Sequence, residues 1–140
     1  MGGADDREAL NGIYRSATDY GVKRAILQSY FMSGNIERIA EVAKTEKDAE
    51  LRKSAIRNLG MMNRGSTSTA SDALVSIYKA DGSSDIKRAV VNSLFMQRNA
   101  KGLVELARSE KDASLKREIV TKLSVMKTPE ATEYMLELLK

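Results

Sequence analysis

The sequence contains no histidine, no cysteine and no tryptophan. Without imidazole and thiol groups the chain has no His-based general acid or base, no Ser-His-Asp triad and no cysteine nucleophile, and it lacks the ligands on which most zinc and iron sites depend. Disulfides are excluded as well, so the composition does not indicate a redox compartment. Because most common enzyme chemistries are excluded, we expect a protein that is not an enzyme and that uses no cofactor and no metal.

Long hydrophobic runs are also missing, and the chain has one proline and two phenylalanines. Charged residues interrupt every apolar stretch well before the ~18 residues that a membrane span requires, so we expect no membrane partner. The 140 residues are 42% hydrophobic and 30% charged, a balance typical of one folded domain. Lysine and arginine (23) outnumber aspartate and glutamate (19), which gives a modest net charge of +4.

A short motif of one aliphatic residue followed by two basic residues recurs four times. Its copies begin at Val22, Leu51, Ile86 and Leu115, and they are 29, 35 and 29 residues apart. The longer middle interval holds an insertion of about six residues in the Ser/Thr/Gly-containing stretch 64–71. The period predicts a single repeat domain over residues 1–140, with repeats at approximately 5–34, 35–64, 69–99 and 100–128 and a half repeat at 129–140.

The four repeats form a duplicated pair. When the chain is shifted by 64 positions, residues 9–62 match residues 73–126 at 20 of 54 positions. The matches include the four-residue block at 46–49, which recurs at 110–113. Chance does not produce such a block in register, so the second pair of repeats is a copy of the first.

The apolar residues within each repeat have helical spacing. Val22, Ile26 and Tyr30 follow an i, i+4, i+8 pattern, which places them on one face of a helix. Shorter amphipathic stretches lie between such segments, so each repeat is predicted to contain two antiparallel helices. We predict an all-α fold with nine helices, at residues 5–18, 20–33, 35–45, 48–63, 69–80, 84–98, 100–109, 112–127 and 129–140.

Capping residues occur where the predicted helices begin. Asparagine and aspartate side chains accept hydrogen bonds from the first free N–H groups of a helix, and proline is favoured in the first turn. Asn35, Asn99, Asp48, Asp112 and Thr128 stand at such positions, and Thr128 is followed by the only proline, Pro129.

The run from Glu46 to Gly60, EKDAELRKSAIRNLG, resembles the bacterial short HEAT-like repeat of the type found in phycobilisome lyases. The shared pattern is an acidic turn, an aliphatic-Arg pair, an alanine three residues later and a Leu-Gly pair. The resemblance implies a right-handed α-solenoid, or α-α superhelix, of about four and a half helical hairpins. Phe31, Phe95 and Ser124 replace the Gly60-type residue in the other repeats.

The resemblance also implies a ladder of charges from repeat to repeat, in which acidic turn residues meet basic residues at the start of the second helices. The matching pairs are Asp19 with Lys23, Asp48 with Arg52, Asp81 with Lys87, and Asp112 with Lys116. We interpret these charges as structural, because a carboxylate at a helix N-terminus is stabilised by the free N–H groups and the helix dipole.

A second row of polar residues follows on the second helices, on the side that resembles the concave lining of a HEAT-like superhelix. The row consists of Arg24, Gln28, Lys53, Arg57, Arg88, Asn92 and Arg117. Residues four apart share a helix face, so stacked repeats would align the cations into a stripe for an acidic partner. Two interpretations stay open, since the same cations would also keep a solenoid soluble. Phe31 and Phe95 are either anchors of this interface or core residues.

These features favour a non-enzymatic scaffold that binds an acidic protein or peptide on the basic concave face. Nucleic-acid binding is the alternative, ranked lower because the net charge is small and aromatic residues for stacking are few. A bilin-lyase-like subunit ranks below both. The iron-dependent HEAT-repeat hydroxylase of the family requires His-Glu pairs, which a chain without histidine does not have.

The last predicted helix is apolar on nearly every side, with Tyr134, Met135, Leu136, Leu138 and Leu139 in one short segment. A terminal repeat normally has a polar outer face. Two explanations follow: the chain is an excised part of a longer protein, which we favour, or this helix mediates self-association or contact with a partner.

Overall fold

Nine α-helices account for most of the chain in the computed structural model, which describes residues 4–62, 68–80 and 82–140. No strand occurs in these ranges. The helices are α1 (Ala4–Ser16), α2 (Tyr20–Met32), α3 (Ile36–Thr45), α4 (Ala49–Met61), α5 (Ser68–Ala80), α6 (Ser84–Met96), α7 (Ala100–Ser109), α8 (Ala113–Ser124) and α9 (Pro129–Leu138). The predicted all-α class is confirmed, and each helix lies within a few residues of its predicted bounds.

The predicted N-caps are confirmed. Asp48 and Asp112 accept hydrogen bonds from the backbone N–H groups of Leu51 and Leu115, each at 3.0 Å. Asn35 and Asn99 cap the two ten-residue helices α3 and α7, and Thr128 caps α9 with proline at its start. These local signals explain why helix positions are readable from the sequence alone.

The turns that end α2 and α6 have the same backbone geometry. Asn35 donates to the Tyr30 carbonyl (2.9 Å) while Gly34 donates to Phe31 (3.1 Å), and Gly34 has a φ of 72°. Arg98, the counterpart of Gly34 in the second copy, adopts a φ of 57°. This paired bonding satisfies carbonyls at the helix end and reverses the chain into the next helix.

Helices of the same parity contact one another in sequence order. The even-numbered helices pack as α2 on α4, α4 on α6 and α6 on α8, and the odd-numbered ones as α3 on α5, α5 on α7 and α7 on α9. Successive helices also contact each other from α1 to α9. Apart from Leu115, the buried hydrophobic residues of the described ranges form one cluster, which includes fully buried Ile56, Leu74, Leu103 and Ile119.

Helices α4 and α6 make the most extensive contact, and Gly60 lies at that contact. A Cβ atom at position 60 would lie 2.7 Å from Cβ and 2.9 Å from Cα of Ser93. Two buried hydrogen bonds cross the same contact, from Ser93 Oγ to the Ile56 carbonyl (3.0 Å) and from Gln97 Nε2 to the Leu59 carbonyl (3.1 Å). Close approach therefore depends on the missing side chain of Gly60.

Candidate binding face on the even-numbered helices

The predicted basic row lies on α2, α4, α6 and α8, one or two cations to a helix. Arg24, Arg57 and Arg117 are exposed, whereas Lys53 and Arg88 are partly covered by neighbours. We call this surface the even-helix face, defined by Arg24, Gln28, Lys53, Arg57, Arg88, Asn92 and Arg117. The even-numbered helices that carry these residues contact one another in sequence order, α2 on α4, α4 on α6 and α6 on α8.

The structure brings three members of the row together in a groove between α6 and α8. Arg88, Asn92 and Arg117 line this groove of about 230 Å³ together with Val91, Thr121 and Lys122. Glu118 also lines it, and Arg88 Nε donates to both of its carboxylate oxygens at 3.1 and 2.9 Å. Sequence reasoning missed Glu118, although it directly follows Arg117.

Carboxylates also interrupt the row on α4. Lys53 Nζ lies 3.9 Å from a carboxylate oxygen of Asp85 on α6 and 3.7 Å from Glu50 on its own helix. Asp85 and Glu50 are strongly exposed, so these contacts are weak surface pairs. The even-helix face is therefore a mixed surface at Lys53 and Arg88, not the uninterrupted basic stripe that the sequence suggests.

Three cations of the row have no carboxylate within ion-pair distance among the described residues. In the ranges that the structure describes, Arg24, Arg57 and Arg117 form no ion pair, and their guanidinium groups donate no hydrogen bond. The internal duplication explains why Arg24 is unpaired in these ranges whereas its counterpart Arg88 is not, since Ser54 on α4 occupies the position of Glu118 on α8. The α2–α4 half of the face thus lacks the carboxylate that neutralises Arg88.

The two phenylalanines are packed against the core with part of each ring accessible. Lys122 Nζ lies over the ring of Phe95, 5.3 Å from its centroid, in a cation–π contact. Most of each phenylalanine side chain is buried against the core. That the accessible ring edges serve as anchors of an interface stays a prediction.

The charge ladder uses different carboxylates from the predicted ones. Lys23 Nζ pairs with Glu46 of the next repeat (3.2 Å), and Lys87 pairs in the same way with Glu110 (3.3 Å). Asp19, the predicted partner of Lys23, is instead the N-cap of α2 and accepts from the backbone N–H of Gly21 (2.7 Å).

The other predicted ladder pairs also differ from the structure. Asp48 and Asp112 are occupied as N-caps, and among the described residues neither forms an ion pair with Arg52 or Lys116. Arg52 Nε donates to the Ala43 carbonyl at 2.9 Å. Asp81 lies outside the described residues. Asp48 and Asp112 each direct the carboxylate to the free N–H groups of their own helix and therefore do not reach the basic residue four positions later. This is the physical reason why the predicted pairs do not form.

Each ladder lysine belongs to a cluster with a tyrosine. Tyr14 donates its hydroxyl to Glu46 (2.5 Å), and Tyr78 does the same to Glu110 in the second copy. The lysine ammonium of each cluster also lies over the tyrosine ring, at 5.3 and 5.0 Å. Sequence reasoning missed the two glutamates, although their identity in the two copies was the signal that could have found them.

Burial and hydrogen bonding shift the titration of these clusters. Burial and the contact with a carboxylate raise the pKa of Tyr14 and of Tyr78 well above the usual tyrosine value. Burial on its own raises the pKa of Glu110, but hydrogen bonds from Tyr78, from the Asp112 backbone and from Lys87 hold it below its usual value. The pKa of Glu46 is lowered by the same set of contacts. Both carboxylates are therefore charged and tied into the fold.

The exposed apolar residues of the last helix are Leu136 and Leu138, followed by Leu139 just after its end. Val125, just after the end of α8, is exposed as well. Tyr134 is buried, so the helix is not apolar on every accessible side. Self-association through this helix stays a prediction.

Comparison with known proteins gives no family model that matches the chain and no curated protein similar to it. Within the described ranges, acidic side chains form no group of three or more that could hold a metal ion. None of the described helices is long and apolar enough to span a membrane.

Proposed function

We propose that the chain is a non-enzymatic scaffold, a right-handed α-solenoid of HEAT-like repeats that binds an acidic protein or peptide on the even-helix face. The order of helix contacts supports the solenoid, because each helix packs on the next one of the same parity along most of the chain. Such an array presents equivalent side chains of successive repeats at regular intervals along one surface.

The observation that carries the proposed function is the set of exposed cations that form no ion pair in the described part of the chain. Arg24, Arg57 and Arg117 lie on three of the four even-numbered helices and form no ion pair in the described ranges. Each presents a planar guanidinium that can donate two parallel hydrogen bonds to one carboxylate, a geometry suited to glutamate and aspartate side chains. A segment rich in these residues matches the face in charge and in hydrogen bonding.

Charge reversal of Arg24 and Arg57 tests this function. We expect the variant R24E/R57E to bind a fluorescent Glu-rich peptide at least ~tenfold more weakly than the wild type, since like charges brought together at an interface cost several kcal/mol. Both side chains are exposed, so the thermal unfolding midpoint should stay close to the wild-type value. Fluorescence anisotropy at low and physiological salt measures the binding.

The matched control is K44E/K101E, which reverses two exposed lysines on the odd-numbered helices α3 and α7. Both double variants lower the net charge from +4 to zero, so an effect of net charge alone would weaken both equally. Equal losses would contradict a defined face. A single-stranded oligonucleotide of similar length is the third probe. If the wild type bound it more tightly than the Glu-rich peptide, the nucleic-acid alternative would be favoured.

A further inference from the structure

A cavity of about 270 Å³ lies between α1, α2 and α3, away from the basic row. Buried Asn11 and Tyr30 are at its floor, and the exposed side chains of Arg15, Glu41 and Lys47 are at its rim. Its volume is roughly nine times the ~30 Å³ that a water molecule occupies in the liquid, so it has room for a small organic molecule.

The floor of the cavity contains a polar group without a partner. Tyr30 donates its hydroxyl to Oδ1 of Asn11 (2.5 Å), and both residues are 3% exposed. The Nδ2 group of Asn11 is buried and forms no hydrogen bond in the described part of the chain. An unpaired buried N–H group destabilises a fold and calls for an acceptor, so this amide marks a position where a ligand atom would restore the missing bond.

The duplicated half shows that the fold does not need this polar floor. At the positions of Asn11, Tyr30 and Arg38 the second copy has Val75, Leu94 and Gly102. Leu94 is fully buried and Val75 packs against the same core, so the apolar pair fills the equivalent space. The structural cluster of tyrosine, glutamate and lysine is kept in both copies, whereas the polar floor and Arg38 occur only in the first. This difference points to a role other than folding.

The lining also favours a particular charge and shape. Among the described residues, four cationic side chains and two carboxylates line the cavity. Glu41 pairs with Arg15 (3.8 Å) and Arg38 (2.9 Å), and Glu46 pairs with Lys23 (3.2 Å), so cations outnumber carboxylates in this part of the lining. The rings of Tyr14 and Tyr30, with centroids 6.4 Å apart, provide aromatic walls next to Val42. A buried amide donor, apolar walls and a positive rim together suit a small molecule with one carboxylate and a planar or apolar body.

We propose that this cavity is a binding site for a small aromatic or aliphatic carboxylate, with the Asn11 amide donating to a ligand oxygen and the rim cations balancing its charge. The site is independent of the even-helix face, since none of the row residues lines it. It would give the scaffold a second, small-molecule ligand held between its first three helices.

Titration of the ¹⁵N-labelled full chain with benzoate tests the proposal, because the side-chain amide signal of Asn11 reports directly on the floor. We expect a saturable shift of that signal and of backbone signals in α1 to α3. Benzamide, which has the same shape without the charge, should bind at least ~tenfold more weakly, as expected for the loss of a charge-assisted contact. Inorganic phosphate is the probe for an anion without an apolar body.

The variant N11V/Y30L installs the apolar pair of the second copy. It should retain a cooperative unfolding transition and lose the benzoate shift. The second variant, R15Q, changes a rim residue whose side chain is 64% exposed, so it should fold normally and bind benzoate several-fold more weakly. R24E/R57E should bind benzoate like the wild type, which separates this site from the proposed peptide face.

Three results would overturn the assignment. The first is an Asn11 amide signal that does not respond to benzoate up to the millimolar range. In another, benzamide binds as well as benzoate, and then the charge of the ligand is irrelevant. A third is a shift produced by phosphate alone, which would replace the carboxylate class by a simple anion.

Discussion

Replacing Gly60 by alanine should destabilise the protein by about 2 kcal/mol, within the ~1–3 kcal/mol range that overpacking of a core usually costs. The added methyl group would lie under 3.0 Å from both Cβ and Cα of Ser93, so the backbone of α6 has to move. That movement stretches the buried hydrogen bonds of Ser93 to Ile56 and of Gln97 to Leu59. Denaturant unfolding followed by circular dichroism measures the loss.

Gly12 provides the control for Gly60→Ala. It lies inside α1, and a Cβ atom there would meet no atom of the described residues within 4 Å. Since alanine is a better helix former than glycine, Gly12→Ala should stabilise the protein by roughly 0.5–1 kcal/mol. The two substitutions are chemically identical, so the difference between them isolates the contact of α4 with α6. If both variants gained stability, the close approach of these helices would not exist in solution.

Gly60 also shows what the sequence does and does not reveal about this fold. Helices and caps were predictable because their signals are local: apolar residues at i, i+4 and i+8, and a capping side chain next to the N–H groups that it accepts from. The resemblance to a HEAT-like repeat drew attention to the Leu-Gly pair, but not to its contact with Ser93, which lies 33 positions further along the chain. Contacts of that kind depend on how helices pack.

In the candidate sites as well, residues set by the local sequence pattern were predictable, whereas contacts between residues far apart in the chain were not. The row of Arg24, Arg57 and Arg117 follows from repeat positions, and the structure leaves these cations exposed as the row requires. The partner of Arg88 was not predictable, because Glu118 is 30 residues away and reaches it only when α6 packs on α8. Asn11 and Tyr30 form a similar case, since neither residue type marks a cavity until α1 lies against α2.

The charged form of Glu110 should contribute about 2 kcal/mol to stability at neutral pH, and Glu110→Gln should remove that contribution. Hydrogen bonds to charged groups are worth ~1.5–3 kcal/mol, and the ion pair of Glu110 with Lys87 is largely shielded from water, with side-chain exposures of 7% and 20%. Glutamine keeps the size and one acceptor oxygen for Tyr78. The variant therefore leaves the Lys87 ammonium partly buried without an opposite charge.

The pH dependence of stability follows from the direction of the pKa shift. The pKa of Glu110 in the folded state lies below its ordinary value of 4.5, so below that value the unfolded chain binds a proton more readily than the folded one. The stabilisation is complete above about pH 5 and is lost as the pH falls through the folded-state pKa. Glu46 behaves alike in the first copy, so wild-type stability should fall steeply on acidification and that of Glu110→Gln less steeply.

Glu105→Gln is the matched comparison, because Glu105 also pairs with a lysine, Lys79, but both side chains are about half exposed. An exposed pair of this kind contributes ~0–1 kcal/mol, and salt screens it. Urea unfolding of the three proteins at neutral and acidic pH should therefore show a large deficit for Glu110→Gln at neutral pH that shrinks on acidification, and a small deficit for Glu105→Gln at both. A deficit of Glu110→Gln that stays constant with pH would mean that the residue contributes packing alone, since only the charged carboxylate couples the fold to protons.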